Sequence, residues 1–281
     1  MVWREARPIV QVLYLLRFVV GGAVGIAAAG VAPSARGIVL GAVAAVGASL
    51  YVYLLNGMTD LAGDRANGSR RPLATGALRL PTARVWLVAL LLVGLAAGFA
   101  VSVPVGAINA VNIVLGTLYS VGPRAAKAEA LAASGVIGVG GFLAYLVGAS
   151  AWAGTIAPQA VVTSAVLGLW MGVAGNTKDF DDAVGDAQAG RHTLPVVLGG
   201  RRAGLVIGSA AVVAGAAALA VAVLGLGSPA LALLALFAAA LAWRCFGPEA
   251  KRGRSYAVFM LSQLTTYTAV LAWSLVSFSL R

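Results

Sequence analysis

The chain has 281 residues, 60% hydrophobic and only 10% charged, with 20 Lys and Arg against nine Asp and Glu and a formal net charge of +11. Soluble domains carry about 25% charged residues, and a water-soluble fold with a mean hydropathy of +0.94 would leave large apolar patches open to solvent. The composition therefore implies an all-α integral membrane protein that lives in the lipid bilayer. One cysteine, Cys245, excludes an intramolecular disulfide and a paired-cysteine metal site. No basic stripe alternates with stacking aromatics, so no nucleic acid partner is implied.

The first segment, MVWREARP, is charged but leads straight into apolar chain, without the small-residue cleavage site of a signal peptide. About 20 apolar residues cross a bilayer, and nine such stretches follow: 12–31, 37–57, 84–103, 105–122, 130–151, 159–176, 203–225, 228–245 and 256–279. The third and fourth meet tightly around Pro104, so eight or ten spans are also compatible. The charges support nine. With the N-terminus and the acidic motifs on the cytoplasmic side, Arg36 and Arg281 are the basic residues left outside, Arg17 lies within the first span, and the others fall inside. The net charge thus reads as topology and attraction to anionic headgroups.

The acids are not spread along the chain. Asp60 and Asp64 fall after the second span, in NGMTDLAGDRANGSRRPLATG, which begins at Asn56. Asp179, Asp181, Asp182 and Asp186 fall after the sixth; Glu5, Glu129 and Glu249 are scattered. Asn56, Asp60 and Asp64 are spaced by four, which places them on one helical face. Asp179, Asp182 and Asp186 share a face too, with Asp181 turned elsewhere. The windows also echo each other: Asp60 and Asp64 shifted by 122 residues land on Asp182 and Asp186, and Pro72 and Gly76 shifted by 123 land on Pro195 and Gly199. A duplication would set two acidic helix ends face to face across a central cavity.

Carboxylates at this spacing repel one another, and each costs roughly 2.5–3.5 kcal/mol at mid-membrane, less near the interface. A hard divalent cation relieves both penalties. Magnesium favours carboxylates combined with substrate phosphates, and an all-oxygen set argues against zinc or copper. Salt-bridged helix ends and a carboxylate-based cation transporter use the same residue types; transporter sites usually sit nearer the midplane.

The pattern N-x-x-x-D-x-x-x-D of Asn56, Asp60 and Asp64, followed by Arg71-Pro72 and Gly76, resembles the first motif of the UbiA family of intramembrane prenyltransferases. Asp182 and Asp186 resemble its second motif. LYSVGPRAAK, with Tyr119, Ser120, Pro123, Arg124 and Lys127, resembles the segment after the family's fourth helix, and Arg17 falls where members often carry an arginine. One departure stands out: Gly57 occupies a place where many members have aspartate.

The resemblance implies a single UbiA-like domain over 1–281, with nine transmembrane helices in one bundle around a central cavity. It implies a Mg-dependent enzyme that ionises a prenyl diphosphate and transfers the prenyl group to an aromatic or other small acceptor. A terpene cyclase on the same scaffold, needing no acceptor, is the alternative. Asp60, Asp64, Asp182 and Asp186 carry the chemistry. Asn56 and Asp179 join them in holding magnesium, and Arg71, Lys178, Lys127, Arg124, Tyr119 and Arg17 are expected around the diphosphate. Arg65 and Arg70 are expected on the surface. Candidate cavity-wall rings are Tyr51, Tyr53, Tyr119, Phe142, Tyr145 and Trp170. Asn109, Asn112 and Asn176 are expected to face the cavity or a neighbouring helix, and His192 to be a loop residue.

Overall fold

The structure, a computed structural model, describes residues 1–122 and 125–280. Among the described residues, nine helices are long and apolar enough to cross a membrane. We number the main helix of each α1 (Pro8–Ala29), α2 (Ala35–Thr59), α3 (Leu80–Val101), α4 (Val103–Ser120), α5 (Ala130–Ala153), α6 (Pro158–Ala174), α7 (Leu194–Val223), α8 (Leu233–Phe246) and α9 (Ser255–Ser279); with flanking helical turns the sixth, eighth and ninth spans run over Pro158–Gln188, Pro229–Phe246 and Glu249–Ser279. The count matches the expected nine, and the protein is a multi-pass integral membrane protein.

The boundaries follow local chemistry. Helix α1 begins at Pro8, where a missing N–H costs nothing, behind Arg7 in a left-handed conformation (φ 57°). Helices α3 and α4 are separated by the single extended residue Ser102, whose hydroxyl accepts from Val105 N at 3.3 Å. Pro104 lies in the first turn of α4, where proline is tolerated, so one residue suffices to reverse the chain. Helix α7 starts well before the expected 203. It is broken in its second turn at Gly199 (φ 73°), and Arg201 and Arg202 follow within the helix.

Each long helix packs on its neighbours in sequence, and α9 closes on α1, so the nine make a ring. Helices α1 and α5 also cross closely. A Cβ at Gly148 would fall on the Phe18 carbonyl, and one at Gly25 would lie 2.7 Å from Ala149 Cα. Only glycine permits such backbone contact, which is how membrane helices gain packing where lipid is as apolar as leucine. Helices α5 and α6 do the same at Gly168, where a Cβ would lie 2.6 Å from Gly138 O.

Two short helices project from even-numbered spans at one end of the bundle: Leu61–Ala66 beyond α2, and Asp179–Gln188 beyond α6 by way of the tight turn Gly175–Lys178. The echo between the two windows extends to the backbone, since Gly76 (φ 78°) and Gly199 (φ 73°) both take left-handed conformations.

Candidate active site

Helix α2 ends formally at Thr59, yet its hydrogen-bond pattern continues: Asp60 N donates to Asn56 O at 2.9 Å and Asp64 N to Asp60 O at 2.8 Å. Asn56, Asp60 and Asp64 therefore keep one face. Asn56 Nδ2 donates to Asp60 Oδ2 at 3.0 Å, and Ser120 Oγ donates to Asn56 Oδ1 at 3.3 Å, tying the end of α4 to the motif.

Both acidic windows open onto one cavity of about 1220 Å³. Its mouth is lined by Asn56, Asp60, Asp64, Asp179, Asp182 and Asp186, together with Lys127, Lys178 and Arg191. Asp186 is the most enclosed of these acids, 7% exposed. Asp181, expected to turn elsewhere, also reaches the wall.

The carboxylates are held by cations from different parts of the chain. Lys127 Nζ lies 2.7 Å from Asp60 Oδ1 and also donates to Thr59 Oγ1 at 2.9 Å. Lys178 pairs with Asp182 one turn on. Arg191 spans the two motifs, with Nη2 at 3.5 Å from Asp60 Oδ1 and Nη1 at 3.4 Å from Asp186 Oδ1. Among the described residues, no three acid, histidine or cysteine side chains converge as a preformed metal cage. The six expected metal-site residues line one mouth instead, most of the acids paired with a cation.

The expected diphosphate partners divide. Lys127, Lys178 and Tyr119 line the cavity. Arg71 does not: it sits behind Asp64, with Nη1 at 2.8 Å from Asp64 Oδ2, and turns its other amino group to Glu5. Arg17 lines the cavity inside the bundle and is 6% exposed. Its Nη2 donates to Gln263 Oε1 at 3.1 Å and its Nε to Tyr267 Oη at 3.4 Å, and its guanidinium stands 4.7 Å from the Tyr14 ring centroid. These partners are neutral, so Arg17 stands apart from the ion pairs of the mouth. Arg124 and Pro123 lie outside the described residues.

Of the candidate rings, Tyr53 and Tyr119 face the cavity, joined by Tyr14, Tyr256 and Phe259. The others pack. Trp170 Nε1 donates to Ser262 Oγ at 2.8 Å, Tyr51 and Thr117 share a hydrogen bond at 3.1 Å, Tyr145 bonds Tyr267, and Phe142 lies against Gly168. Asn112 and Asn176 line the cavity, whereas Asn109 is fully buried and donates to Ala44 O and Gly94 O, joining α4 to α2 and α3. His192 is exposed, with Nδ1 at 2.8 Å from Glu129 Oε1, in the loop position expected. Arg65 and Arg70 are exposed.

Arg191 is not among the diphosphate partners expected from the sequence. Its place five residues after Asp186 was the available signal; its reach to Asp60 was not. Tyr14, Tyr256 and Phe259 carried no motif, and only packing brings them to the wall.

The chain resembles known proteins over most of its length. Residues 15–266 match the UbiA prenyltransferase family. The digeranylgeranylglyceryl phosphate synthase of Ignicoccus hospitalis is 31% identical over 201 residues, covering 70% of this chain and 65% of that protein; the match thus spans just under two thirds of the relative. A structure from work on digeranylgeranylglyceryl phosphate synthase in membranes superposes with a TM-score of 0.79 at 18% identity, covering 98% of each chain. A UbiA homologue from Archaeoglobus fulgidus bound to GPP and Mg2+ superposes with a TM-score of 0.74 at 19% identity, covering 96% of this chain and 99% of that one. At these identities the two structures establish the shared fold.

Proposed function

Because the chain belongs to the UbiA prenyltransferase family, we propose that it is a magnesium-dependent enzyme that ionises a prenyl diphosphate and joins the prenyl group to a small acceptor. The observation that carries this reading is the convergence of both acidic windows, 122 residues apart, on one cavity mouth that also holds Lys127, Lys178 and Arg191. That mouth combines anions for a metal with cations for phosphate oxygens.

The donor set fits magnesium. Asn56 and the carboxylates of Asp60, Asp64, Asp179, Asp182 and Asp186 offer only hard oxygen ligands at the mouth. Asp60 already draws Lys127 and Arg191 to itself, and this pull on positive charge supports the reading. Bound magnesium supplies charge neutralisation for the leaving diphosphate.

The chain's own groups do the rest. When the allylic C–O bond breaks, the electron pair leaves with the diphosphate, and negative charge grows on its oxygens. Lys127, Lys178 and Arg191 are positioned to donate charge-assisted hydrogen bonds to it. The allylic cation left behind meets the rings of Tyr53, Tyr119 and Phe259 on the cavity wall, and a desolvated ring stabilises a cation by about 1–2 kcal/mol. The acceptor nucleophile then forms the new bond to that carbon and gives up its proton to the released diphosphate. The apolar tail lies along the inner cavity, beside Gly140 and Met171. This reading treats residues 1–281 as one domain, with the mouth and the N-terminus on the cytoplasmic side.

The test is diphosphate release by purified protein in detergent, with MgCl2 and a panel of C10 to C50 prenyl diphosphates. Aromatic acids and glyceryl-phosphate lipids are offered as acceptors. Release that requires an acceptor supports the transferase. Release with a cyclic product and no acceptor replaces it by a cyclase. No release across the panel, from folded protein, ends the proposal.

A further inference from the structure

Glu5 looked like one of the scattered acids, yet it is fully buried. Its Oε2 accepts from Leu73 N at 2.8 Å, and its Oε1 lies 2.8 Å from Arg71 Nη2 without hydrogen-bond alignment. Arg71 also donates to the Glu5 main-chain oxygen at 3.2 Å. On its other side Arg71 holds Asp64 at 2.8 Å. The N-terminal segment is thereby clipped to the loop that follows the first acidic motif.

The clip passes through the slot opened by Gly57. A Cβ on this residue would fall on Glu5 Oε1 and 2.5 Å from Arg71 Nη2. A side chain at 57 must push the ion pair aside, and a buried carboxylate or guanidinium left without its partner is costly. Gly57 is therefore matched to Glu5: the space over its Cα, where any side chain would begin, is taken by the carboxylate that the N-terminal segment brings.

We infer that Glu5 is a positioning residue of the cavity mouth, whose carboxylate fills the slot left by Gly57 and shares Arg71 with Asp64. Glu5 does not touch substrate. It acts through Arg71: with one carboxylate on each side, the guanidinium is neutralised from behind and held in place, so that Asp64 keeps its negative character toward the cavity. Without the charge of Glu5, Arg71 belongs to Asp64 alone, and the carboxylate competes less well for a metal. The inference rests on the proposal that Asp64 serves a magnesium–diphosphate site.

The experiment measures thermal stabilisation of purified protein by MgCl2 at fixed inorganic pyrophosphate, since a ligand that binds the native state raises Tm. Glu5→Gln keeps an acceptor for Leu73 N but removes the charge. It should raise the half-saturating MgCl2 by about tenfold, with prenyl diphosphate turnover at saturating MgCl2 close to wild type. Glu5→Ala combined with Gly57→Asp returns a carboxylate to the slot from the other chain segment; the flexible end of Arg71, 2.5 Å from the new Cβ, shifts to make room and pairs with it, which should recover most of that loss relative to Glu5→Ala. The double variant also decides the matter if Glu5→Gln folds poorly. An unchanged magnesium midpoint in folded Glu5→Gln overturns the inference, as does a double variant no better than Glu5→Ala. A wild type that shows no magnesium-dependent shift removes the metal-site reading itself, a result separable from both.

Discussion

Replacing Arg191 with methionine tests how the two acidic windows cooperate. The side chain is 36% exposed and stands 3.5 Å from Asp60 Oδ1 and 3.4 Å from Asp186 Oδ1. At an effective dielectric of about 20, each gross attraction is roughly 5 kcal/mol. Solvent screening and the ordering of a long side chain reduce the net value of such part-exposed pairs to about 1 kcal/mol or less. Arg191→Met should thus cost little stability, measured as a small Tm change in detergent. Turnover is a different matter. A charge-assisted hydrogen bond to a leaving group is worth about 1.5–3 kcal/mol, which corresponds to a loss of roughly 10–100-fold in the rate of diphosphate release. Arg191→Lys keeps the charge but not the two-pronged reach and should recover part of the rate. A large fall in Tm with unchanged turnover per folded molecule would refute the reasoning, because Arg191 would then be a strut between the motifs and not a diphosphate partner.

Asp60→Ala and Asp182→Ala should each lower diphosphate release by at least about 100-fold while leaving inserted, folded protein; wild-type activity in either variant removes the motif assignment. Gly148→Ala drives a methyl group onto the Phe18 carbonyl and should cost about 1–3 kcal/mol or more by overpacking the α1–α5 crossing, read as a lower Tm or a loss of monodisperse protein in size-exclusion chromatography. Asn109→Leu removes donors from Ala44 O and Gly94 O. It should cost about 1 kcal/mol, the scale of interhelical hydrogen bonds in membranes, with turnover per folded molecule unchanged.

The span count was legible in the sequence because lipid leaves few choices. A backbone with no water to bond must form helices, and basic residues mark the side on which each loop remains. The spacing of Asn56, Asp60 and Asp64 likewise determined a shared face, since four residues return a helix to nearly the same direction. The break after Thr59 did not disturb this, because the main-chain bonds from Asp60 and Asp64 carry through it. The junction of α3 and α4 was harder to read. A one-residue turn at Ser102 leaves almost no polar signal, and Pro104 marked the neighbourhood without marking the break.

Tertiary structure alone decided which charges meet. Arg71 and Arg191 look alike in sequence, each a few residues beyond an acidic motif. Packing turns Arg71 back toward Glu5 and sends Arg191 across to Asp60. The periodicity of a helix sets a residue's face but not what faces it, and an ion pair joining residues 5 and 71, or 60 and 191, depends on how distant segments dock. Gly57 shows both sides of this division. The family resemblance marks it as a place where many members carry aspartate, while the docking of a segment with no motif brings Glu5 into the slot.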